Sequence, residues 1–444
     1  MTASMDAAAQ SRLNHFFEAV GDVLGNDGRR ASFAMYAAGL MGDGERKSVE
    51  PMAARACADP KTADATHQRL LHFTTEAKWN DRAVRRFASQ YVVSQMTARE
   101  VITDWIVDDT GFIKQGTHSV GVQRQYTGSA GKVTNCQIGV SLSVATATEH
   151  APIDFELYLP TTWTDDAARR AEAKIPDDVQ FKTKPELALD MIGRAHGQGI
   201  PPGVVLADSA YGSSRAFRAG VRALGLHYGV GVDPKTSVLI LDADDRAQGS
   251  KISVRKLAQD TYEQNGFRRC TWRDGTRAKL SAKFTVQRVV PAYAGGPDVE
   301  EREPLWLVVE WRDGEPAPAN FFLTSLPKSM TAKALIRRLM QRWRTERIYE
   351  DLKGELGLDH FEGRRFAGWH HHVSVVLCCY AFILAERIRA FFCPDQRAQS
   401  KSHAARPARN GTLRTASSRR VLSSPGASQR GFQGVLPAMR NANL

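Results

Sequence analysis

Two apolar, β-branched runs that end on acids constrain this chain more than any other feature. Ile106-Val107 leads into Asp108-Asp109-Thr110, and Val204-Val205-Leu206-Ala207 leads into Asp208. Short runs of this kind suit buried strands, so these acids stand where strands leave a core. A third acid, Glu346, lies in a stretch of helical periodicity. At about 100° per residue, Glu346 falls about 40° round the helix from Arg342, and Lys353 about 20° from Glu346, so the three share one stripe. A carboxylate flanked by two cations suits a site that holds metal and grips phosphate oxygens. The same pattern also describes an exposed helix laced with i,i+4 ion pairs.

The rest of the chain divides by pattern. Residues 1–95 read as a separate helical domain: Leu13, Phe16, Phe17, Val20 and Leu24 recur at helical spacing, as do Val84, Phe87, Tyr91 and Val92. Within it, Glu50–Cys57 and Thr66–Phe73 form short helices split by Ala58-Asp59-Pro60-Lys61, a helix-turn-helix-like arrangement. Arg46, Lys47, Arg55, Lys61 and Arg69 crowd this part, which predicts a DNA-binding domain or simply the wet face of helices. Residues 96–227 alternate strands with helices, among them Pro185–Gly197, and predict an α/β domain. Residues 228–326 break that rhythm with strand-like runs and turn signals, a β-rich insertion. Helical periodicity resumes over 327–394, from Thr331 to about Gly357 and from Trp369 to Phe392. The segment 395–444 turns to Ser, Ala, Arg, Gly and Pro, the composition of a disordered tail.

That tail changes how the charge is read. The chain of 444 residues carries a formal net charge of +12, which favours a polyanionic partner. Nine Lys and Arg against the single acid Asp395 place +8 of it in residues 395–444, so the body is less basic than the whole. No run approaches the roughly 20 apolar residues of a bilayer crossing, and Val373–Leu384 reads as a buried helix. Met1–Ser11 lacks a basic start followed by an apolar run, which predicts a cytoplasmic protein. The six cysteines show no paired spacing with histidines for zinc, so reduced thiols are expected. His370, His371 and His372 point in different directions on a helix and read as surface or supporting histidines rather than a metal site.

Three blocks together resemble the signature of bacterial insertion-sequence transposases of the DDE superfamily. Arg342, Glu346 and Lys353 match the pattern Y-x2-R-x3-E-x6-K in register, with Leu339 in the place of the tyrosine. Asp108-Asp109-Thr110-Gly111-Phe112 is similar to the first-aspartate block and Ala207-Asp208-Ser209-Ala210-Tyr211-Gly212 to the second, and Asp208 follows Asp108 by 100 positions and Glu346 follows Asp208 by 138. The resemblance implies an α/β fold with an RNase H-like core interrupted by a β-rich insertion, preceded by a helical DNA-binding domain. It implies Asp108, Asp208 and Glu346 as catalytic metal ligands, with two Mg2+ ions as cofactor and Mn2+ able to substitute. Asp109 competes with Asp108; the family aspartate precedes the Thr by two positions, which favours Asp108, and strand alternation lets only one of the two serve.

The resemblance further implies that Arg342 and Lys353 hold phosphates beside the cut, and that Arg364 contacts the DNA end. Lys114, Arg124 and Lys132 are placed to steer DNA, and Trp272, Trp306 and Trp311 include candidates for holding a flipped base. The expected partners are double-stranded DNA, as element ends and target, and a second copy of the chain, at the bacterial nucleoid with no membrane. The expected reaction is metal-dependent cleavage at terminal inverted repeats followed by transfer of 3′-OH ends. A noncatalytic DNA-binding repressor, or an RNase H-like nuclease that cuts without joining, are the alternatives.

Overall fold

Period-two and helical patterns resolve here into five helices followed by a mixed sheet flanked by further helices. The computed structural model describes residues 7–57, 59–274, 279–292, 303–318 and 320–390. The helices are α1 (Ala7–Leu24), α2 (Asp27–Met41), α3 (Val49–Ala56), α4 (Pro60–Thr75) and α5 (Asp81–Thr97). Asn26, Asp59 and Asn80 start three of them by accepting N–H groups of the first turn. Then come β1 (Asp104–Ile113), β2 (Gln123–Thr127), β3 (Lys132–Ala145), β4 (His150–Tyr158), α6 (Thr161–Thr164), α7 (Ala167–Ala173), α8 (Lys184–Gly197), β5 (Val204–Ala207), α9 (Ser209–Gly212), α10 (Arg215–Ala223) and β6 (Tyr228–Gly231). Next follow β7 (Ser237–Leu241), β8 (Ala247–Ser253), α11 (Val254–Glu263), β9 (Arg268–Asp274), β10 (Lys279–Pro291), β11 (Leu305–Trp311), β12 (Asn320–Thr324), α12 (Ala332–Leu339), α13 (Trp343–Gly354) and α14 (Phe366–Ala390).

Among the described residues the strands form one sheet ordered β2-β3-β1-β5-β6-β12-β11-β10-β7-β8, with β4 on β3 and β9 on β10. β1, β5 and β6 run parallel, and β3 returns antiparallel along the whole of β1. This corrects the expected boundary at residue 228. Tyr228–Gly231 belongs to the parallel centre, because Val205, Leu206 and Ala207 pair with Tyr228, Gly229 and Val230. Strands β7 to β11 extend the same sheet, and β12 brings the chain back beside β6. The expected continuous helix from Thr331 is also broken, by a 3-10 turn at Met340–Arg342 between α12 and α13.

The N-terminal helices do not form a unit with its own core. Their apolar faces share one buried cluster with β1, β4, α8 and α14. Phe16 of α1 packs on Phe382 of α14 with ring centroids 5.4 Å apart, and Trp79 stacks on His371 at 3.8 Å. Helix α14 is apolar nearly all round, and residues from Gly368 to Ile388 are buried, as expected of a helix at the centre of a core. Among the described residues no helix is long and apolar enough to cross a membrane. The tail 395–444 lies outside the described residues.

Burial reassigns two groups of polar residues. Lys47, expected on a DNA-facing surface, is 6% exposed and donates to the carbonyls of Leu40 and Glu355. The three adjacent histidines, expected near the surface, are all buried. His371 lies between the carbonyls of Thr74 (2.9 Å) and Trp79 (3.2 Å). His372 Nδ1 meets the Tyr36 hydroxyl at 2.8 Å, and its Nε2 faces the carbonyls of Gly357 and Leu358. They fasten α2, α4 and the α13–α14 connector to α14.

Burial pushes the pKa of His372 down from 6.5 to about 4. Above pH 6.5 the ring is neutral in folded and unfolded chains, so its contribution is complete; as pH falls toward 4 only the unfolded chain takes up the proton. Stability should therefore fall over that window by on the order of 3 kcal/mol from this residue. Denaturant titrations at several pH values should show a shallower acid slope for His372→Asn than for wild type. Identical slopes would remove the buried neutral ring as a cause.

Candidate active site

The pairing register brings the two aspartates to one level. β1 and β5 pair in parallel as Asp104↔Val204, Trp105↔Val205 and Ile106↔Leu206, an offset of 100 positions, the same as the separation of Asp108 and Asp208. Each acid therefore stands two residues past the last paired rung. Neighbouring strands lie about 4.8 Å apart, so the two acids stand level on adjacent parallel strands; Asp208 lies just past the end of β5, but Asp108, expected where its strand ends, lies midway along β1, because pairing with β3 carries that strand on to Ile113. Asp208 also caps α9, its Oδ1 accepting the Ala210 N–H at 2.9 Å.

The third element arrives from the end of the chain's described part. Arg342, at the start of α13, donates from Nη1 to Asp108 Oδ2 at 2.8 Å. Its Nη2 lies 4.0 Å from Glu346 Oε1 one helical turn on. Four residues earlier Arg338 grips Asp104 at 2.8 Å, a second tie between this helical segment and β1. Burial lowers the pKa of Arg342, but Asp108, Asp208 and Glu346 together raise it above its ordinary value. Asp108 behaves in the opposite way: burial drives its carboxyl up to about 7, partly opposed by Arg342 and reinforced by Asp208 and Asp109. Asp108 and Glu346 thus meet on one guanidinium, with Asp208 near enough to add to its field. The three acids do not close on each other: among the described residues no three His, Cys, Asp or Glu side chains stand near enough to hold a metal ion.

Asp109 turns elsewhere. Its Oδ2 takes Lys184 Nζ at 3.0 Å and the Tyr211 hydroxyl at 3.1 Å, so it is already neutralised and hydrogen-bonded. Lys353 reaches β1 beyond Asp108, donating to the Gly111 carbonyl (2.7 Å) and Ser129 Oγ (3.3 Å). Lys114 is not at the site: its Nζ donates to the carbonyls of Phe361 (2.5 Å) and Asp359 (3.4 Å), tying the α13–α14 connector to the end of β1. Arg364 lies exposed on that connector. Trp311 stacks on Tyr262 with centroids 4.1 Å apart, and Trp272 meets Phe284 edge-on, so both pack within the extended sheet.

Leu339, in the signature tyrosine's place, is a core residue. It is 3% exposed, and a Cβ added to Gly229 of β6 would come within 2.3 Å of its Cδ2. Gly229 lets Leu339 pack close against β6.

Sequence reasoning missed two groups near the acids. Tyr349 bonds Ser141 at 2.6 Å, and Ser141 sits directly across the ladder from Asp108. Tyr349 lies three positions after Glu346, so helical spacing alone could have placed it on the same face. Ser141 carries no local signal, because only the β1–β3 register sets it beside Asp108. Arg344, also unremarked, is buried and donates to the carbonyls of Thr146 and Ala147 at 2.6 Å each, pinning α13 against the β3–β4 turn.

A mixed α/β sheet with level acids on adjacent parallel strands, faced by a helix carrying arginine and glutamate, is consistent with a DDE nuclease fold. The sequence profile described as "DDE superfamily endonuclease" matches residues 19–279. The chain belongs to that family, and its fold is consistent with a DDE nuclease. The match takes in Asp108 and Asp208 and ends before Glu346. The chain is also 29% identical over 230 residues to the "Probable transposase for insertion sequence element IS701" of Microchaete diplosiphon, an alignment covering 52% of this chain and 56% of that protein. The chain thus spans about half the length of the curated relative it matches. The resemblance drawn from the sequence is borne out.

Proposed function

We propose that this chain is an insertion-sequence transposase that cuts DNA at its element's terminal repeats and transfers the 3′-OH ends to a target, acting as a homodimer on double-stranded DNA. The observation that carries the reading is the common level of Asp108 and Asp208, joined to Glu346 through Arg342. The strand order β4-β3-β1-β5-β6 supports an RNase H-like core.

By type the donors suit divalent magnesium, although the three acids would have to draw closer to hold it. Asp108 and Asp208 offer hard oxygens side by side, and the high pKa of Asp108 marks a buried carboxylate that one guanidinium compensates only in part. When bound by Asp108, Asp208 and Glu346, two such ions would stabilise charge at the scissile phosphate and supply an activated water. Arg342, which holds Asp108 Oδ2 at 2.8 Å, would grip the phosphate oxygens, for which its planar fork is suited. Lys353 holds a neighbouring phosphate from its perch on Gly111. Arg364 and the exposed basic residues of α4 lie where longer DNA contacts add affinity that falls with salt.

The test incubates the purified chain with DNA carrying the sequences that flank its coding region, with Mg2+ or with a chelator. Cleavage is expected only with the metal, and Glu346→Gln should lower its rate by on the order of 100-fold or more. Undiminished cleavage by that variant would refute the triad. DNA binding with no cleavage by wild type would select the repressor reading.

A further inference from the structure

The β2–β3 hairpin carries an apolar pair that the site described above does not use. Tyr126 and Val133 face each other across the ladder and are 63% and 54% exposed. Alternation along β2 puts Arg124 on the same outer face, while Gln123, Gln125 and Thr127 turn inward.

The inner side of this hairpin is seated on the catalytic strand. Thr127 is buried over Gly111, where an added Cβ would lie 2.1 Å from its Oγ1. At the turn, Ser129 Oγ accepts the Gly111 N–H at 3.2 Å and the Lys353 ammonium at 3.3 Å, and shares a hydrogen bond with Thr110 at 3.0 Å. The outer face is therefore held at a set place next to Lys353, three residues along β1 from Asp108.

Single exposed apolar side chains are ordinary. An exposed aromatic paired with an aliphatic, with an arginine on the same face, has a more specific match. Aromatic rings with flanking cations bind single-stranded nucleic acid by stacking on a base while the cations track its backbone. A base in an intact duplex shows no free face for such stacking, so the matching ligand is unpaired DNA.

We propose that the outer face of the β2–β3 hairpin is a stacking platform for an unpaired base of the DNA strand flanking the scissile phosphate. Tyr126 stacks on the base, Val133 supports it, and Arg124 meets an adjoining phosphate. The proposal rests on the DNA-cutting role given above and names a surface by which that site takes hold of opened DNA.

The test measures binding of the full chain, without divalent metal, to a forked DNA with unpaired arms and to a blunt duplex of the same sequence. Wild type should bind the fork more tightly. Tyr126→Ala should weaken fork binding by about tenfold and leave duplex binding unchanged, and Tyr126→Phe should keep both. An equal loss on both DNAs, no loss on the fork, or a change of oligomeric state in Tyr126→Ala would overturn it, the last marking the patch as a contact between copies of the chain. Wild type that prefers the fork in the Tyr126-dependent way yet never cleaves would instead refute the nuclease reading alone.

Discussion

Replacing Asp108 with Asn is expected to lower metal-dependent DNA cleavage by on the order of 10³-fold or more while the chain stays folded. The amide keeps the shape of the carboxyl and still accepts a hydrogen bond from Arg342, so packing around β1 is retained. It cannot supply the negative charge that a divalent ion needs. Burial already disfavours that charge, as its pKa of about 7 records. Near pH 8 the wild-type carboxylate is ionised at some cost to the fold, and Asn removes that cost along with the ion pair. Stability measured by denaturant at that pH should therefore change by less than about 1.5 kcal/mol in either direction. Cleavage and stability lost together would mean that Asp108 supports the strand and not the chemistry.

Arg85→Met should produce the reverse: a large loss of stability. Arg85 is 2% exposed and donates to Asp81 at 2.6 Å, Asp154 at 2.9 Å and Ser374 at 3.1 Å, with Glu156 at 3.5 Å. Arg194 reaches Asp154 and Glu156 at 2.7 and 2.8 Å, and His370 meets Glu156 at 3.3 Å. Burial pushes the Glu156 carboxyl up, but the hydrogen bond to His370 and the arginines hold it far below its ordinary range. This network joins α5, β4, α8 and α14, and so docks the N-terminal helices on the sheet. Methionine fills the volume but leaves three acids facing Arg194 and the more exposed Arg82. Removing one partner of a buried ionic cluster costs about 3–5 kcal/mol. Guanidinium or thermal unfolding measures it, and a loss below about 1 kcal/mol would show that the acids find solvent or other cations instead.

The members of the candidate site were legible before folding was considered. Asp108 and Asp208 end apolar runs, and Arg342, Glu346 and Lys353 share a helical stripe, because strand and helix periodicities are local properties of the chain. Local pattern misjudged neighbours in space. Lys114 and Lys47 read as surface cations, yet Lys114 donates to carbonyls of the α13–α14 connector and Lys47 to those of Glu355 and of Leu40 in α2. The histidine triplet read as helix surface because nothing local shows that α2, α4 and β4 close over all its sides. The β-rich stretch read as a separate insertion, although Tyr228–Gly231 completes the parallel centre and the later strands continue its sheet.

The choice between Asp108 and Asp109 marks where local information stops. Alternation along a strand says that only one faces the other acids, and family resemblance favoured Asp108. The pairing partners then supply a physical reason: Lys184 and Tyr211 occupy Asp109, while Arg342 brings Glu346 to Asp108. The sequence by itself determined which residue types stand at the ends of strands and on one helix face, since backbone geometry within a few residues sets those positions. Only the tertiary structure decided which of them share a site. The β1–β5 register and the packing of α13 against the β3–β4 turn join segments a hundred or more residues apart, and the pairing and burial that align them have no counterpart in local sequence.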